Sequence, residues 1–160
     1  MNNSKREVVV LVYNIRSTHN IGSIFRTSDS VGVDKVYLSG YSPTPVDKFN
    51  RPRKDIAKVS LGAEKTVSWE YVEDPYKLIK KLKKEGFEVV GLEQTKNSID
   101  YKKFKTKKSL LFILGNEVLG MDKKMIDICD KVIEIPMKGD KESLNVSVAY
   151  GVAIFRVMEV

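Results

Sequence analysis

The sequence predicts an α/β protein built on a mostly parallel sheet. Short runs rich in valine and leucine alternate with stretches of helical period, the pattern of strands joined by crossover helices. The most apolar of these runs lacks polar alternation, as expected of a strand covered on both faces.

The elements follow in chain order. Residues 7–13 are valine-rich and too short for a helix, so they read as a first buried strand. A polar turn covers 14–20. Ile21, Ile24, Phe25 and Ser28 then recur at helical spacing behind Asn20, a candidate N-cap, and Gly32 ends the helix. Residues 33–39 form a second strand. The stretch 40–58 carries Pro43, Pro45 and Pro52 among Arg51, Arg53 and Lys54, which predicts a long surface loop, a type that is often functional. A short strand is expected at 65–69. Pro75 starts a helix that runs to Glu85 and stops at Gly86. Residues 87–92 and 109–114 read as strands, the second almost wholly apolar. Asp122 caps a helix through Ile128, 131–135 form a last strand, and Ser143 opens a C-terminal helix rich in valine.

The chain has 160 residues, with 28 Lys+Arg against 21 Asp+Glu and a net charge of +7. That length fits one domain able to bury its own core. A 42% apolar and 31% charged composition is that of a soluble globular protein rather than a disordered one. Cys129 is the single cysteine and His19 the single histidine, which excludes an internal disulfide and zinc sites of His and Cys; no metal is expected. The N-terminus lacks a signal-peptide pattern. The apolar tail 144–160 carries Arg156 and Glu159 and is shorter than the ~20 residues of a membrane span. A cytoplasmic protein without a membrane partner is therefore expected, and the positive excess points to a polyanion.

Two common nucleotide sites are excluded. Residues 14–22, after the first strand, lack the G-x-G-x-x-G that lets a pyrophosphate approach the backbone. Gly115 and Gly120 have the spacing of a phosphate loop, but Met121-Asp122 stand where the lysine and hydroxyl are required. Three polar segments remain. Asn20-Ile21-Gly22-Ser23-Ile24-Phe25-Arg26 lies at a strand-to-helix junction, where a cap and a solvated arginine would also explain it. Leu114-Gly115-Asn116-Glu117-Val118-Leu119-Gly120 follows the most apolar strand, at the position where open α/β sheets bind ligands. In the third, Ile135-Pro136-Met137-Lys138-Gly139 is followed by Ser143-Leu144-Asn145 at a helix entrance. Asn145, inside the first turn of so apolar a helix, needs a polar partner.

In order and spacing these segments resemble the three motifs of the SpoU-type (TrmH-like) RNA 2'-O-ribose methyltransferases of the SPOUT superfamily. The N-x-G-x-x-x-R motif is matched by Asn20, Gly22 and Arg26, with His19 as the common preceding histidine. G-x-E-x-x-G is matched by Gly115, Glu117 and Gly120, and the third motif from Ile135 to Ala149. The resemblance covers 8–157. The family's frequent N-terminal RNA-binding extension has no counterpart, so one methyltransferase domain over 1–160 is expected.

The resemblance implies a SPOUT fold with a C-terminal deep trefoil knot and S-adenosylmethionine held by the knot loops. It places Gly115, Ile135 and Leu144 at the cofactor, with Leu92 and Met137 beside them. It assigns catalysis to Arg26, Asn20, Glu117, Ser143 and Asn145. The implied reaction is attack of a ribose 2'-hydroxyl of tRNA or rRNA on the cofactor's methyl carbon, by a homodimer joined through the C-terminal helix. Arg26 is the family's usual base, yet a guanidinium keeps its proton at ordinary pH. Holding a phosphate and the developing alkoxide suits it better, which leaves His19 as the alternative base. Arg51, Arg53 and Lys54 are the expected RNA contacts. Lys77, Lys80, Lys81, Lys83 and Lys84 read as the wet face of a helix, and Lys102, Lys103, Lys105, Lys107 and Lys108 crowd the approach to the 109–114 strand. A base-modifying SPOUT methyltransferase and a non-catalytic RNA-binding protein are the alternatives.

Overall fold

The computed structural model describes residues 5–160. Seven strands form one sheet: β1 (Val8–Tyr13), β2 (Lys35–Ser39), β3 (Ser68–Val72), β4 (Glu88–Leu92), β5 (Ile99–Asp100), β6 (Leu110–Leu114) and β7 (Lys131–Glu134). Their spatial order is β3-β2-β1-β6-β4-β7-β5, and every ladder between them is parallel.

Side chains on the central strands alternate between two cores. Val8, Val10 and Val12 of β1 and Leu110, Phe112 and Leu114 of β6 face one side. There they meet α1 (Thr18–Val31), α2 (Lys54–Ser60), α3 (Ala63–Thr66) and α6 (Val146–Met158). Val9, Leu11, Leu111 and Ile113 face the other side, against α4 (Pro75–Lys84) and α5 (Lys123–Ile128). Both faces of these strands are thus dry, which is why their sequences show no alternation. Each such aliphatic side chain contributes ~1.5–3 kcal/mol on full burial. On the first face α1 and α6 share a buried polar contact, Ser28 Oγ to Tyr150 Oη at 2.8 Å.

Four expectations need correction. The N-cap of α1 is Ser17, not Asn20: the Ser17 hydroxyl accepts the Asn20 N–H at 3.1 Å, so the helix starts earlier and Asn20 is buried in its first turn. The 40–58 loop ends early, because α2 and α3 bury Ile56, Ser60 and Ala63. A Cβ on Gly22 would lie 2.7 Å from Val59 Cβ and 2.9 Å from Ile56 O. The glycine in the first motif therefore lets α2 lie against α1. The strand expected at 65–69 is β3, shifted by α3 and paired from Lys35 opposite Ser68. Finally, α6 is capped by Asn145 rather than opened by Ser143, since Asn145 Oδ1 accepts the N–H of Ser147 at 2.9 Å and of Val148 at 3.3 Å. The two-residue β5 is too short to leave a pattern. Among the described residues no helix is long and apolar enough to cross a membrane.

Candidate active site

Parallel strands all point their C-terminal ends the same way, and the loops leaving β1, β4, β6 and β7 meet at that edge. Two clefts open there and share a wall. The first is lined by Leu92, Gly115, Ile135, Met137 and Leu144, together with Glu93, Gln94 and Ser143. The second is lined by Arg16, Ser17, Asn20, Tyr41 and Leu119. Asn116, Glu117 and Val118 border both.

Hydrogen bonds from side chain to backbone hold the loops in place. Glu93 Oε2 accepts the Met121 N–H at 3.0 Å, and Gln94 Nε2 donates to Glu142 O at 2.8 Å. The β4 loop is thereby tied to both the β6 loop and the loop before α6. Asn116 Oδ1 accepts the N–H groups of Val118 and Leu119 at 2.9 and 2.8 Å, closing the turn. Its Nδ2 donates to Asn14 O and Tyr41 Oη, both at 2.9 Å. With that turn fixed, Val118 and Leu119 stand 89% and 83% exposed at the mouth of the second cleft.

Glu117 is the polar centre. Its Oε1 accepts the Ser17 N–H at 2.9 Å and Asn20 Nδ2 at 3.3 Å, and its Oε2 accepts the Arg16 N–H at 3.2 Å. Burial pushes this carboxyl up, but the N–H donors from Ser17, Glu117 itself, Arg16 and the Asn20 amide outweigh it. The net result lies below the ordinary carboxylate range. Glu117 therefore stays ionised at neutral pH. Asn145 Nδ2 donates to Asn20 Oδ1 at 3.1 Å, which supplies the partner its position required.

Of the residues the sequence singled out, Asn20, Glu117 and Asn145 thus form one hydrogen-bonded chain, and Ser143 lies at the first cleft with all five expected cofactor residues. Arg26 is not among them: it is exposed on α1 and lines neither cleft, and His19 is exposed as well. Arg16 lines the second cleft instead, with its guanidinium 5.3 Å from the Tyr41 ring centre. The sequence reading missed Arg16, Tyr41 and Glu93, and gave no role of its own to Asn116 within the second segment. The available signal was their position in polar turns just beyond strand ends.

The basic loop is partly neutralised. Arg51 pairs with Asp47 at 2.8 Å and Arg53 with Asp55 at 3.2 Å, while Lys54 is exposed in the first turn of α2. Arg51, through its backbone N–H above all, holds Asp47 below its ordinary value; Arg53 does the same for Asp55 through its side chain. Among the described residues no group of three or more His, Cys, Asp or Glu side chains could hold a metal. Burial pushes the Cys129 thiol up to about 12, so it is no nucleophile.

Comparison with known proteins gives four findings. The profile of the SpoU rRNA Methylase family matches residues 7–155. A tRNA (guanosine(18)-2'-O)-methyltransferase of Aquifex aeolicus (strain VF5) is 32% identical over 94% of this chain and 68% of its own length. A Staphylococcus aureus (strain COL) protein, named for TrmH family tRNA/rRNA methyltransferases, is 36% identical over 93% of this chain. The chain spans 57% of that relative's length. Among solved structures, an AdoMet-bound rRNA methyltransferase from Sinorhizobium meliloti superimposes with a TM-score of 0.85. It covers 98% of this chain and 57% of its own, and at 22% identity the likeness is one of fold.

Proposed function

Because the chain belongs to the SpoU rRNA Methylase family, we propose that it is an S-adenosylmethionine-dependent RNA 2'-O-ribose methyltransferase. The observation that carries this is the shared wall: two clefts, suited to two ligands, meet at Asn116, Glu117 and Val118. Group transfer requires two bound molecules with reacting atoms in contact, and a common wall provides that.

The first cleft fits the cofactor. Leu92, Ile135, Met137 and Leu144 give it an apolar lining for a flat purine, while Glu93, Glu117 and Glu134 supply carboxylates that suit a sulfonium cation. Among the described residues, no backbone group of 136–144 bonds to other backbone, so this loop has donors and acceptors to offer a ligand. When bound, the cofactor supplies an electrophilic methyl group. The deep knot of the SPOUT fold belongs to this proposal, supported by the convergence of the 93–98 and 135–145 loops through Gln94 and Glu142.

In the second cleft, Asn20 and Glu117 orient the target ribose, Asn145 fixes Asn20, and Ser143 faces the meeting point. Arg16, which lines this cleft, and Arg26, which must reach in from the exposed face of α1, hold phosphate and stabilise negative charge on the 2'-oxygen. Arg51, Arg53 and Lys54 add contacts to RNA outside the cleft. A homodimer through α6 accounts for its uncovered face, where Val148, Val152 and Phe155 are 51%, 40% and 38% exposed. The proposed methyltransferase domain covers 1–160, and its proposed place of action is the cytoplasm.

The test is calorimetric binding of S-adenosylmethionine, then tritiated methyl transfer to bulk tRNA and rRNA. Nuclease digestion and mass spectrometry should return a 2'-O-methyl nucleoside. A methylated ring nitrogen would place the protein in a base-modifying branch instead, and RNA binding without incorporation would make it a non-catalytic binder.

A further inference from the structure

A third cleft lies at the opposite end of the sheet, where the N-terminal ends of β1 and β6 meet the last turn of α6. It has a volume of about 260 Å³, and Arg6, Lys105, Lys107 and Arg156 line it around Phe104. Glu159 is the lone carboxylate in that lining. Among the described residues none of these four cations is in an ion pair, whereas nearby Lys5 and Lys102 are paired with Asp34 and Asp100.

The two guanidiniums are anchored to one segment. Arg6 Nε donates to Lys108 O at 3.0 Å, and Arg156 Nη2 donates to Lys102 O at 3.3 Å. Each is held by one nitrogen, leaving the rest of its fork uncommitted. Among the described residues Arg6 Nη2 is moreover shut off from solvent without a hydrogen-bond partner. A buried donor without an acceptor is rare enough to require an explanation, and a guanidinium fork matches phosphate oxygens.

We infer that this cleft binds a backbone phosphodiester of the RNA substrate, as a second contact remote from the two clefts at the other edge. The inference rests on the RNA reading above. β6 separates the two ends, and its five residues span about 17 Å at ~3.3 Å each. A stacked strand advancing ~3.4 Å per nucleotide crosses that in about five nucleotides. Lys105 and Lys107, which lie in no strand or helix, gain a role. The loop cations Arg51 and Arg53, in contrast, already carry their own carboxylates.

The test is the double variant Lys105→Glu/Lys107→Glu, since both side chains are exposed and neither touches the methyl-transfer site. Binding of a fluorescein-labelled tRNA transcript is followed by anisotropy between about 50 and 200 mM salt. The variant should bind about tenfold more weakly at low salt, with a log–log slope shallower by about 0.7 to 0.9 for the lost phosphate contact. Its S-adenosylmethionine affinity should be unchanged. Arg6→Lys should weaken binding although it keeps the charge, because the fork is lost. Unchanged affinity and slope in the double variant, beside a wild type that methylates RNA, would overturn this contact and leave the proposed reaction standing. RNA binding through this cleft by a wild type that transfers no methyl group would do the reverse. Saturable, tight binding of inorganic phosphate seen by NMR at Arg6 and Arg156, with no competition from the transcript, would assign the cleft to a free anion and overturn the proposal.

Discussion

Asn145 Nδ2 lies 3.1 Å from Asn20 Oδ1, across 125 positions of sequence. The bond joins the N-terminus of α6 to the first turn of α1, and Asn20 passes it on to Glu117 at 3.3 Å. Both ends of the Asn145 amide are in use, because its Oδ1 also caps α6.

Those two roles can be separated. Asn145→Asp keeps the capping oxygen and loses the donor, so its stability should stay near wild type, while Asn145→Ala should cost about 1 kcal/mol through the lost cap. If the bond orients Asn20 for the ribose, both variants should lose about tenfold or more in methyl transfer. Full activity in Asn145→Asp, measured beside its melting curve, would reduce Asn145 to a cap.

Glu117 contributes stability that depends on its charge. Its carboxyl titrates below the ordinary range when folded, so this stabilisation is complete above that range and disappears as pH falls through the depressed folded value. Glu117→Gln should lose roughly 1.5 kcal/mol at neutral pH, the lower end for hydrogen bonds to a charged group, since the site is only half-buried. The gap between wild type and variant, measured by urea unfolding, should close as the solution is acidified. A gap independent of pH would show that the amide serves as well as the carboxylate.

Arg26 is exposed and its side chain makes no hydrogen bond within the described residues. Arg26→Ala should therefore change stability by less than about 0.5 kcal/mol and cofactor affinity by no more than a few-fold. Methyl transfer should fall by about 10²–10³, the loss typical of a group that stabilises transition-state charge. Full activity on the true RNA, with tritiated cofactor, would remove Arg26 from the mechanism and leave Arg16, beside Tyr41, as the cation to replace next.

How much of this the sequence disclosed depends on the range over which each signal acts. Strands β1, β4 and β6 were legible because burial on both faces leaves an apolar run that little else produces. The α1 cap was misplaced because Ser17 and Asn20 are both good capping residues, and only the bond from Asn20 N to Ser17 Oγ decides between them. Helix α2 was hidden under a proline-rich reading of 40–58, since the contact that stabilises it, against Gly22, comes from another element. The same holds at the site. The motif residues announced themselves, but Arg16 and Glu93 act through contacts with loops distant in the chain, which spacing does not encode.

The basic loop gives a graded expectation. Arg51 and Arg53 must exchange Asp47 and Asp55 for phosphate, whereas Lys54 is in no ion pair among the described residues. The triple variant Arg51→Ala/Arg53→Ala/Lys54→Ala should flatten the salt dependence of RNA binding by about 0.7 to 0.9 per contact actually made. Exposed pairs of this kind contribute little to folding, about 0–1 kcal/mol, so the variant should remain folded. An unchanged slope would move the RNA surface away from this loop.

Gly115 and Gly139, in the loops after β6 and β7, provide a paired test. A Cβ on Gly115 would lie 2.6 Å from Met121 Cγ, 2.8 Å from Met121 N and 2.9 Å from Gly120 C. Two of those three atoms are backbone, so a rotamer change cannot make room and the 115–121 turn itself must move. That turn carries Glu117 and is pinned by Glu93 to Met121 N. Gly115→Ala should cost about 1–3 kcal/mol through overpacking and weaken S-adenosylmethionine binding by about tenfold or more, because the displaced turn forms one wall of the first cleft. Gly139, in the neighbouring loop, has open space where its Cβ would go, and Gly139→Ala should leave both stability and affinity near wild type. Calorimetry on the two variants separates a tight turn that shapes the cleft from a general intolerance of these loops to a methyl group. Equal losses in both would favour the second explanation, and no loss in Gly115→Ala would mean that the turn does not wall the cofactor at all.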